Sequence, residues 1–204
     1  MAKTTTGKRY RTLLEIVFLF ITPVLLVYLN IVEREQYLVV ALVYTSFVVV
    51  LVIREHWTLR SLHIRLDNIK KGLVPYAIFT TLGIIGIMTI ASLVGNEKGS
   101  MNLYLLFLSW SLPIALVQEF LYRGFLMREL NVFHASVLAV IIINALIFAF
   151  MHAVYDPLAL TLPVTFIAGI GFAWMYIKFP NLVLITISHA VLNFVALWHG
   201  FFHM

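Results

Sequence analysis

Residues 117–125 read VQEFLYRGF and interrupt an apolar stretch with a glutamine, a glutamate and an arginine. An ionisable side chain inside a membrane-spanning helix costs about 2.5–3.5 kcal/mol on insertion scales. Such groups are tolerated where the helix packs them against other protein rather than against lipid. On a helix, Glu119 and Arg123 lie at i and i+4, a spacing that brings an acid and a base together on one face. The stretch therefore predicts a buried polar site inside a bundle of apolar helices.

The composition around this stretch supports a membrane-embedded bundle. Of 204 residues, 62% are hydrophobic and 11% are charged, and the mean hydropathy is +1.00. These values lie well outside the range of soluble globular domains. Because the sequence has no cysteine, disulfides, thiolate metal sites and cysteine nucleophiles are excluded. We predict an all-α polytopic membrane bundle in which residues 1–204 form a single integral membrane domain.

Continuous apolar runs, each long enough for about 20 residues of helix, locate the predicted spans. They lie near 13–32, 37–53, 73–94, 103–122, 132–151, 158–178 and 181–198. The sequence therefore predicts about seven transmembrane helices. The first run is too long for the core of a signal peptide, and no small-residue cleavage pattern follows it, so we expect it to remain as an anchor.

The cationic residues indicate which side of the membrane each connection faces. All lysines and arginines except Arg34 and Lys98 fall on one side of the predicted spans. Because cytoplasmic connections carry the excess of positive charge, we expect a multi-pass protein of the cell membrane with its amino terminus in the cytoplasm and its carboxy terminus outside. The formal net charge of +5 does not indicate a nucleic-acid partner, because the cations lie in short connections rather than in a stripe with interleaved aromatics.

A basic amphipathic segment lies between the second and third predicted spans. Residues 56–71 read HWTLRSLHIRLDNIKK and place Leu62, Leu66 and Ile69 on one helical face, with most of the cations elsewhere. This pattern favours an interfacial helix that binds anionic membrane lipids. The alternative is a basic loop held inside by topology alone. In either case, residues 1–100 supply the amino-terminal spans and this segment, while residues 100–198 carry the polar motifs.

Two further polar clusters follow the first. The motif FAFMH ends one apolar run with His152, and HAVLN places His189 and Asn193 at i and i+4 on a helix. Each cluster also has a purely structural interpretation: a buried ion pair in the first, an interfacial histidine in the second, and interhelical hydrogen bonds in the third. Three such clusters in one short chain favour a shared functional site.

Together, QEFLYR, FAFMH and HAVLN resemble the three motifs of the CAAX protease and bacteriocin-processing family, also called the Abi family and related to the Ras-converting CAAX endopeptidase. Those motifs read Glu-Glu-x-x-x-Arg, Phe-x-x-x-His and His-x-x-x-Asn. Their order and spacing are similar here, and the resemblance covers about residues 100–198. The earlier part of the chain is similar only in being made of hydrophobic spans.

The resemblance implies a prokaryotic intramembrane endopeptidase of the glutamate type, which hydrolyses a peptide bond with water held by a carboxylate and a histidine. It implies a membrane-associated or prenylated peptide or protein as substrate, and neither a covalent acyl-enzyme nor a cofactor or essential metal. An asparagine amide and a second imidazole would stabilise the oxyanion of the tetrahedral intermediate. Carried over to this chain, the positions are Gln118 at the leading position of the first motif, the second carboxylate Glu119, its arginine Arg123, the water-sharing His152 and the oxyanion donors His189 and Asn193.

Gln118 departs from the family motif, which has glutamate there. An amide has nearly the shape of a carboxylate and can hold water, but it cannot take a proton. The chain is therefore either a natural member with weakened or lost proteolysis, or an active enzyme in which Glu was replaced by Gln.

A second hypothesis is a non-catalytic membrane binding or bacteriocin-immunity protein. A third, a metal-dependent protein, rests on the i and i+4 spacing of His199 and His203, although no His-Glu-x-x-His motif is present.

Overall fold

The computed structural model describes residues 2–95 and 102–201, so Lys98 and His203 lie outside the described ranges. Within these ranges the chain is helical without β-strands, and the predicted all-α membrane bundle is confirmed. Six of the described helical segments are long and apolar enough to cross a membrane, and a further apolar helix is shorter. The α-helices are α1 (Ala2–Ile16), α2 (Thr22–Tyr28), α3 (Tyr37–Arg54), α4 (Ile69–Val94), α5 (Leu103–Leu105), α6 (Leu112–Glu119), α7 (Met127–Leu130), α8 (Val137–Met151), α9 (Leu158–Lys178) and α10 (Leu182–Trp198).

Several of these helices are joined by π-helical turns, which are Val17–Ile21, Leu106–Ser111 and Phe120–Leu126. One continuous helical segment therefore covers Leu103–Phe133, whereas the sequence predicted that this span ends near 122. The helix continues because apolar residues beyond the polar cluster are buried as well, namely Phe125, Leu126 and Leu130. It ends at His134, whose φ of 52° is left-handed. As a result, α8 begins at Val137 rather than near 132.

The interfacial helix predicted for residues 56–71 is not formed, because the segment is a series of turns up to the start of α4. His56 and His63 adopt left-handed backbone angles, with φ of 53° and 55°, which an α-helix does not accommodate. The Leu62 carbonyl, which a helix would bond internally, accepts a hydrogen bond from the Tyr176 hydroxyl at 3.2 Å. The segment is thus a loop fixed by partners far along the chain.

The described chain divides into two compact units. The first comprises residues 2–57 and 121–173. Its core contains aromatic rings from separate helices: the Phe20 ring lies 5.2 Å from that of Tyr122, and the Tyr122 ring lies 5.2 Å from that of Phe148. Both pairs meet edge to face, an arrangement that suits the charge distribution of aromatic rings. Because Tyr122 belongs to a π-helical turn, these contacts fix the orientation of that turn within the unit.

The second unit comprises, among the described residues, 58–95, 102–120 and 174–201. In it, α10 packs against α4, α6 and the π-helical turn that precedes α6. A Cβ atom at Gly83 would lie 2.8 Å from Cδ2 of Leu192, so the end of the Leu192 side chain packs directly on the α4 backbone at this glycine. A hydrogen bond of 2.5 Å between the Thr80 and Ser188 hydroxyls joins the same two helices. These contacts hold α10, which carries one of the predicted motifs.

Candidate active site

A buried carboxylate and imidazole lie together in the second unit. Glu119 is the last residue of α6, His189 lies on α10, and these two helices pack against each other. Oε1 of Glu119 is 2.5 Å from Nδ1 of His189. The exposed fraction is 0% for Glu119 and 2% for His189. Two of the predicted site residues therefore share a hydrogen bond in an environment of low dielectric constant, where such bonds are strong.

The number of protons on this pair decides what the second ring nitrogen of His189 can do. If Glu119 is ionised and His189 is neutral, Nδ1–H donates to the carboxylate and Nε2 can only accept. With one more proton on the pair, Nε2 carries a hydrogen and can donate to a developing negative charge. The predicted role of His189 as an oxyanion donor therefore requires the pair to hold that additional proton.

The other two predicted residues of this unit are neighbours of the pair along the chain. Gln118 precedes Glu119 on α6, and its side chain is partly exposed with a buried oxygen. Asn193 is half-buried on α10, four residues beyond His189. This spacing places Asn193 and His189 on the same face of α10, as the sequence indicated. The helix can thus present two hydrogen-bond donors to one side.

His152 belongs to the first unit, where it follows the last residue of α8 and begins a 3₁₀ turn. Its side chain is buried, and Nδ1 lies 2.8 Å from the Phe148 carbonyl oxygen. Because a carbonyl oxygen only accepts, Nδ1 carries the proton and Nε2 of the neutral ring is an acceptor. The Tyr37 hydroxyl donates to the Met151 carbonyl at 3.2 Å and holds the same end of α8. His152 therefore has the tautomer that a water-binding base requires.

Arg123 also belongs to the first unit and is buried in the π-helical turn that follows α6. Its guanidinium carbon lies 4.6 Å from the centroid of the Phe148 ring and 5.2 Å from that of Phe172. Nη2 donates to the Gly169 carbonyl at 3.4 Å. Aromatic faces stabilise a desolvated cation by about 2 kcal/mol each. The pairing of Arg123 with Glu119 stays a prediction from their i and i+4 spacing.

One buried polar residue of the first unit, Asn144, was missed by sequence reasoning. It lies on α8 with 0% of its surface exposed, and its Nδ2 donates to the Tyr122 carbonyl at 2.8 Å. Tyr122 directly precedes Arg123 in the π-helical turn. The available sequence signal was a single amide in the run VIIINALIFAF, which the cost of polar groups in hydrocarbon marks as a functional position.

Other polar groups of the first unit form a separate contact. The Thr12 hydroxyl donates to Oε2 of Glu129 at 2.9 Å, and both side chains are buried. Across residues 2–95 and 102–201, no three His, Asp or Glu side chains are grouped so that they could hold a metal ion. His199 caps the carboxy-terminal end of α10, while its predicted partner His203 lies outside these ranges.

Comparison with known families places this arrangement in context. Residues 100–195 match the family model described as type II CAAX prenyl endopeptidase Rce1-like. The matched range contains every predicted site residue, so the resemblance indicated by the three motifs is confirmed for this part of the chain. Neither the curated proteins nor the solved structures gave a match.

Proposed function

We propose that the protein hydrolyses peptide bonds of membrane-associated or prenylated substrates, because its residues 100–195 match the family model described as type II CAAX prenyl endopeptidase Rce1-like. The observation that carries the proposal is the buried contact of 2.5 Å between Glu119 and His189. Burying two ionisable groups in an apolar bundle costs several kcal/mol, and a purely structural role can be filled by apolar residues. A site that moves protons and stabilises developing charge requires such groups.

In the proposed reaction, a water molecule attacks the carbonyl carbon of the scissile peptide bond. From the resemblance of the three motifs alone, Gln118 would orient the water through its amide, and Nε2 of His152 would accept the proton that the water loses. The resulting oxyanion accepts hydrogen bonds from Nε2 of His189 and the amide of Asn193. Protonated His152 then donates to the leaving amine as the C–N bond breaks, which restores the neutral imidazole. Arg123 has a positional role, since a guanidinium cannot act as a base.

We infer that this reaction is slow in the present sequence, because Gln118 occupies the position where the family motif has a glutamate. A carboxylate at this position would accept the proton directly, whereas an amide leaves that task to His152. Gln118 also favours a second candidate function, a non-catalytic binding or bacteriocin-immunity protein. In that case the same residues would recognise a peptide or a prenylated tail rather than activate water.

The substitution Gln118→Glu tests the endopeptidase proposal. In protein reconstituted into vesicles, this variant should raise peptide-bond cleavage by roughly 10²–10⁴-fold, the usual contribution of a positioned general base. The substrates are fluorogenic peptides with and without a carboxy-terminal prenyl group, and mass spectrometry identifies the new termini. Substrate affinity should change much less, because the two side chains have nearly the same shape. Gln118→Ala is the matched control, which removes the amide without supplying a base and should not raise cleavage.

Two outcomes would contradict the proposal. If Gln118→Glu cleaves none of the peptides while the parent protein binds one of them tightly, the binding-protein hypothesis is correct. If Gln118→Ala gains as much activity as Gln118→Glu, the carboxylate is not the base.

We also propose that the protein lies in the cell membrane with its amino terminus in the cytoplasm and its carboxy terminus outside. The apolar helices support a multi-pass membrane protein, and the one-sided distribution of lysine and arginine supports the orientation. Substrate would then reach the site laterally from the bilayer or from the membrane surface.

A further inference from the structure

Asn144 is a buried amide to which the proposed reaction gives no role. It lies in the segment Val137–Val154, whose mean hydropathy of 2.6 is the highest among the candidate spans of the described chain. Its side chain is fully buried. An amide in such surroundings costs several kcal/mol unless it is hydrogen-bonded. Among the described residues, Oδ1 of Asn144 has no hydrogen-bond partner, whereas Nδ2 makes a bond that an apolar residue could not make.

That bond joins α8 to the π-helical turn. Nδ2 of Asn144 donates to the Tyr122 carbonyl oxygen at 2.8 Å. In the turn Phe120–Leu126 the backbone amides bond to carbonyls five residues back instead of four, so the ladder of hydrogen bonds shifts where the turn meets regular helix. Tyr122 lies within this turn, and its carbonyl can accept from a donor outside the helix. Asn144 supplies a donor of this kind.

Asn144 is also the first of three side chains in a row along α8 and its 3₁₀ extension. Asn144, Phe148 and His152 follow at i, i+4 and i+8, so they lie on one side of the helical segment. The Phe148 ring lies 5.2 Å from the ring of Tyr122 and 4.6 Å from the guanidinium carbon of Arg123. At the end of the row, Nδ1 of His152 donates to the Phe148 carbonyl. This face therefore carries His152 and contacts Arg123, the two predicted site residues of the first unit.

Helix α9 limits how far this face can move. A Cβ atom at Gly169 would lie 3.0 Å from Cα of Ala145, so α8 and α9 are in close backbone contact next to Asn144. The Gly169 carbonyl also accepts from Nη2 of Arg123. A shift of α8 along its axis would break the contacts to Tyr122 and to Arg123 together.

We propose that Asn144 is a positioning residue that sets the register of α8 against the π-helical turn, and thereby the placement of His152 and Arg123. The effect of Asn144 on catalysis rests on the proposed endopeptidase function, whereas its hydrogen bond to the Tyr122 carbonyl does not. A displacement of one residue along a helix is about 1.5 Å, and a misplacement of about 1 Å is enough to lower a reaction rate by about 10²-fold.

Carbonyl NMR tests the bond directly. Labelling with carbonyl-¹³C tyrosine and ¹⁵N arginine selects Tyr–Arg peptide bonds, which occur in the sequence at residues 10–11 and 122–123. Because Tyr10 is exposed, Tyr10→Phe should leave the fold intact and isolate the Tyr122 carbonyl signal. In this background, Asn144→Leu should move the signal upfield, as the loss of a hydrogen bond does. Thr165→Val removes another buried hydrogen bond of the same unit and should leave the signal unchanged.

The kinetic test uses the Gln118→Glu variant. Adding Asn144→Leu should lower kcat by about 10²-fold with KM nearly unchanged, because Asn144 positions the reacting groups but does not touch the substrate. Thr165→Val in the same background should preserve both constants. Asn144→Ser provides a second variant if the leucine variant does not fold. Its hydroxyl is too short to replace the amide, so the Tyr122 carbonyl signal should move in the same direction.

An unmoved Tyr122 signal in both Asn144 variants would overturn the proposal, and so would a shifted signal with an unchanged kcat. If Gln118→Glu itself shows no cleavage, the endopeptidase proposal fails. The NMR measurement on the Tyr10→Phe background would still decide whether Asn144 fixes the turn, so the two failures are distinguishable.

Discussion

At the scale of single residues, Glu119 and His189 form one hydrogen-bonded unit. With 2.5 Å between Oε1 and Nδ1, each partner determines which atoms of the other can donate or accept. Polar residues in apolar segments are rare, so the sequence could predict that each residue matters. It could not predict their mutual bond, because they are 70 positions apart and only the packing of α10 on α6 brings them together.

The substitution Glu119→Gln tests whether the pair acts as a unit. In the Gln118→Glu background, an amide at 119 still accepts from Nδ1 but does not stabilise the additional proton that Nε2 needs as a donor. The variant should therefore lower kcat/KM, because Nε2 of His189 is less often a donor to the oxyanion. The measurement is kcat/KM at a fixed pH, with Ser188→Ala on the same helix as a control that should keep the parent value.

His189→Ala should lower activity by about 10²–10³-fold, as the loss of an oxyanion donor does. If Glu119→Gln keeps the parent's kcat/KM, the pair does not act as one unit and the donor role of His189 does not depend on the carboxylate.

At the scale of elements, Asn181 joins the loop before α4 to the start of α10. Nδ2 of Asn181 donates to the Arg65 carbonyl at 2.9 Å, while Oδ1 accepts from the Leu184 amide at 2.9 Å and caps α10. Arg65 also hydrogen-bonds to Asp67 and holds the pKa of that exposed carboxyl below its usual range, so the loop keeps this ion pair at neutral pH. The sequence predicted a helix here, because the spacing of apolar residues reflects only neighbours three and four positions apart and not contacts with distant residues.

Asn181→Ala should lower the free energy of unfolding by about 2 kcal/mol, since it removes a helix cap and leaves the Arg65 carbonyl without its donor. Thermal unfolding in detergent measures this change, and trypsin cleavage after the exposed Arg60 reports loosening of the loop. Asn181→Ser is the matched variant. Its hydroxyl keeps the cap but cannot reach the loop, so it should recover part of the stability while cleavage stays fast. Parent-like melting of the alanine variant would show that neither bond stabilises the fold.

At the scale of the whole molecule, the apolar helices could be predicted from the sequence, because a bilayer imposes a minimum length of continuous hydrophobic helix. The π-helical turn, the loop before α4 and the role of Asn144 could not, because each depends on contacts between distant parts of the chain. The orientation in the membrane stays a prediction from charge.

The absence of cysteine makes that orientation directly measurable. Glu33→Cys and Gly7→Cys both replace exposed residues, and no atom crowds a Cβ at Gly7. In intact cells a membrane-impermeant maleimide should label Glu33→Cys, whereas Gly7→Cys should react only after the membrane is permeabilised. The cysteine-free parent controls for background labelling. The opposite pattern would place the amino terminus outside.

The helix that carries His189 and Asn193 is short for a bilayer. With 17 residues, α10 has a length of about 26 Å, against a hydrocarbon core of about 30 Å. Such mismatch is relieved by local thinning of the lipid or by tilting and shielding from neighbours. Thinned lipid brings headgroups and their hydration shell nearer to the buried histidine. We therefore expect the acyl-chain length of the host membrane to affect how readily a hydrolytic water reaches this helix.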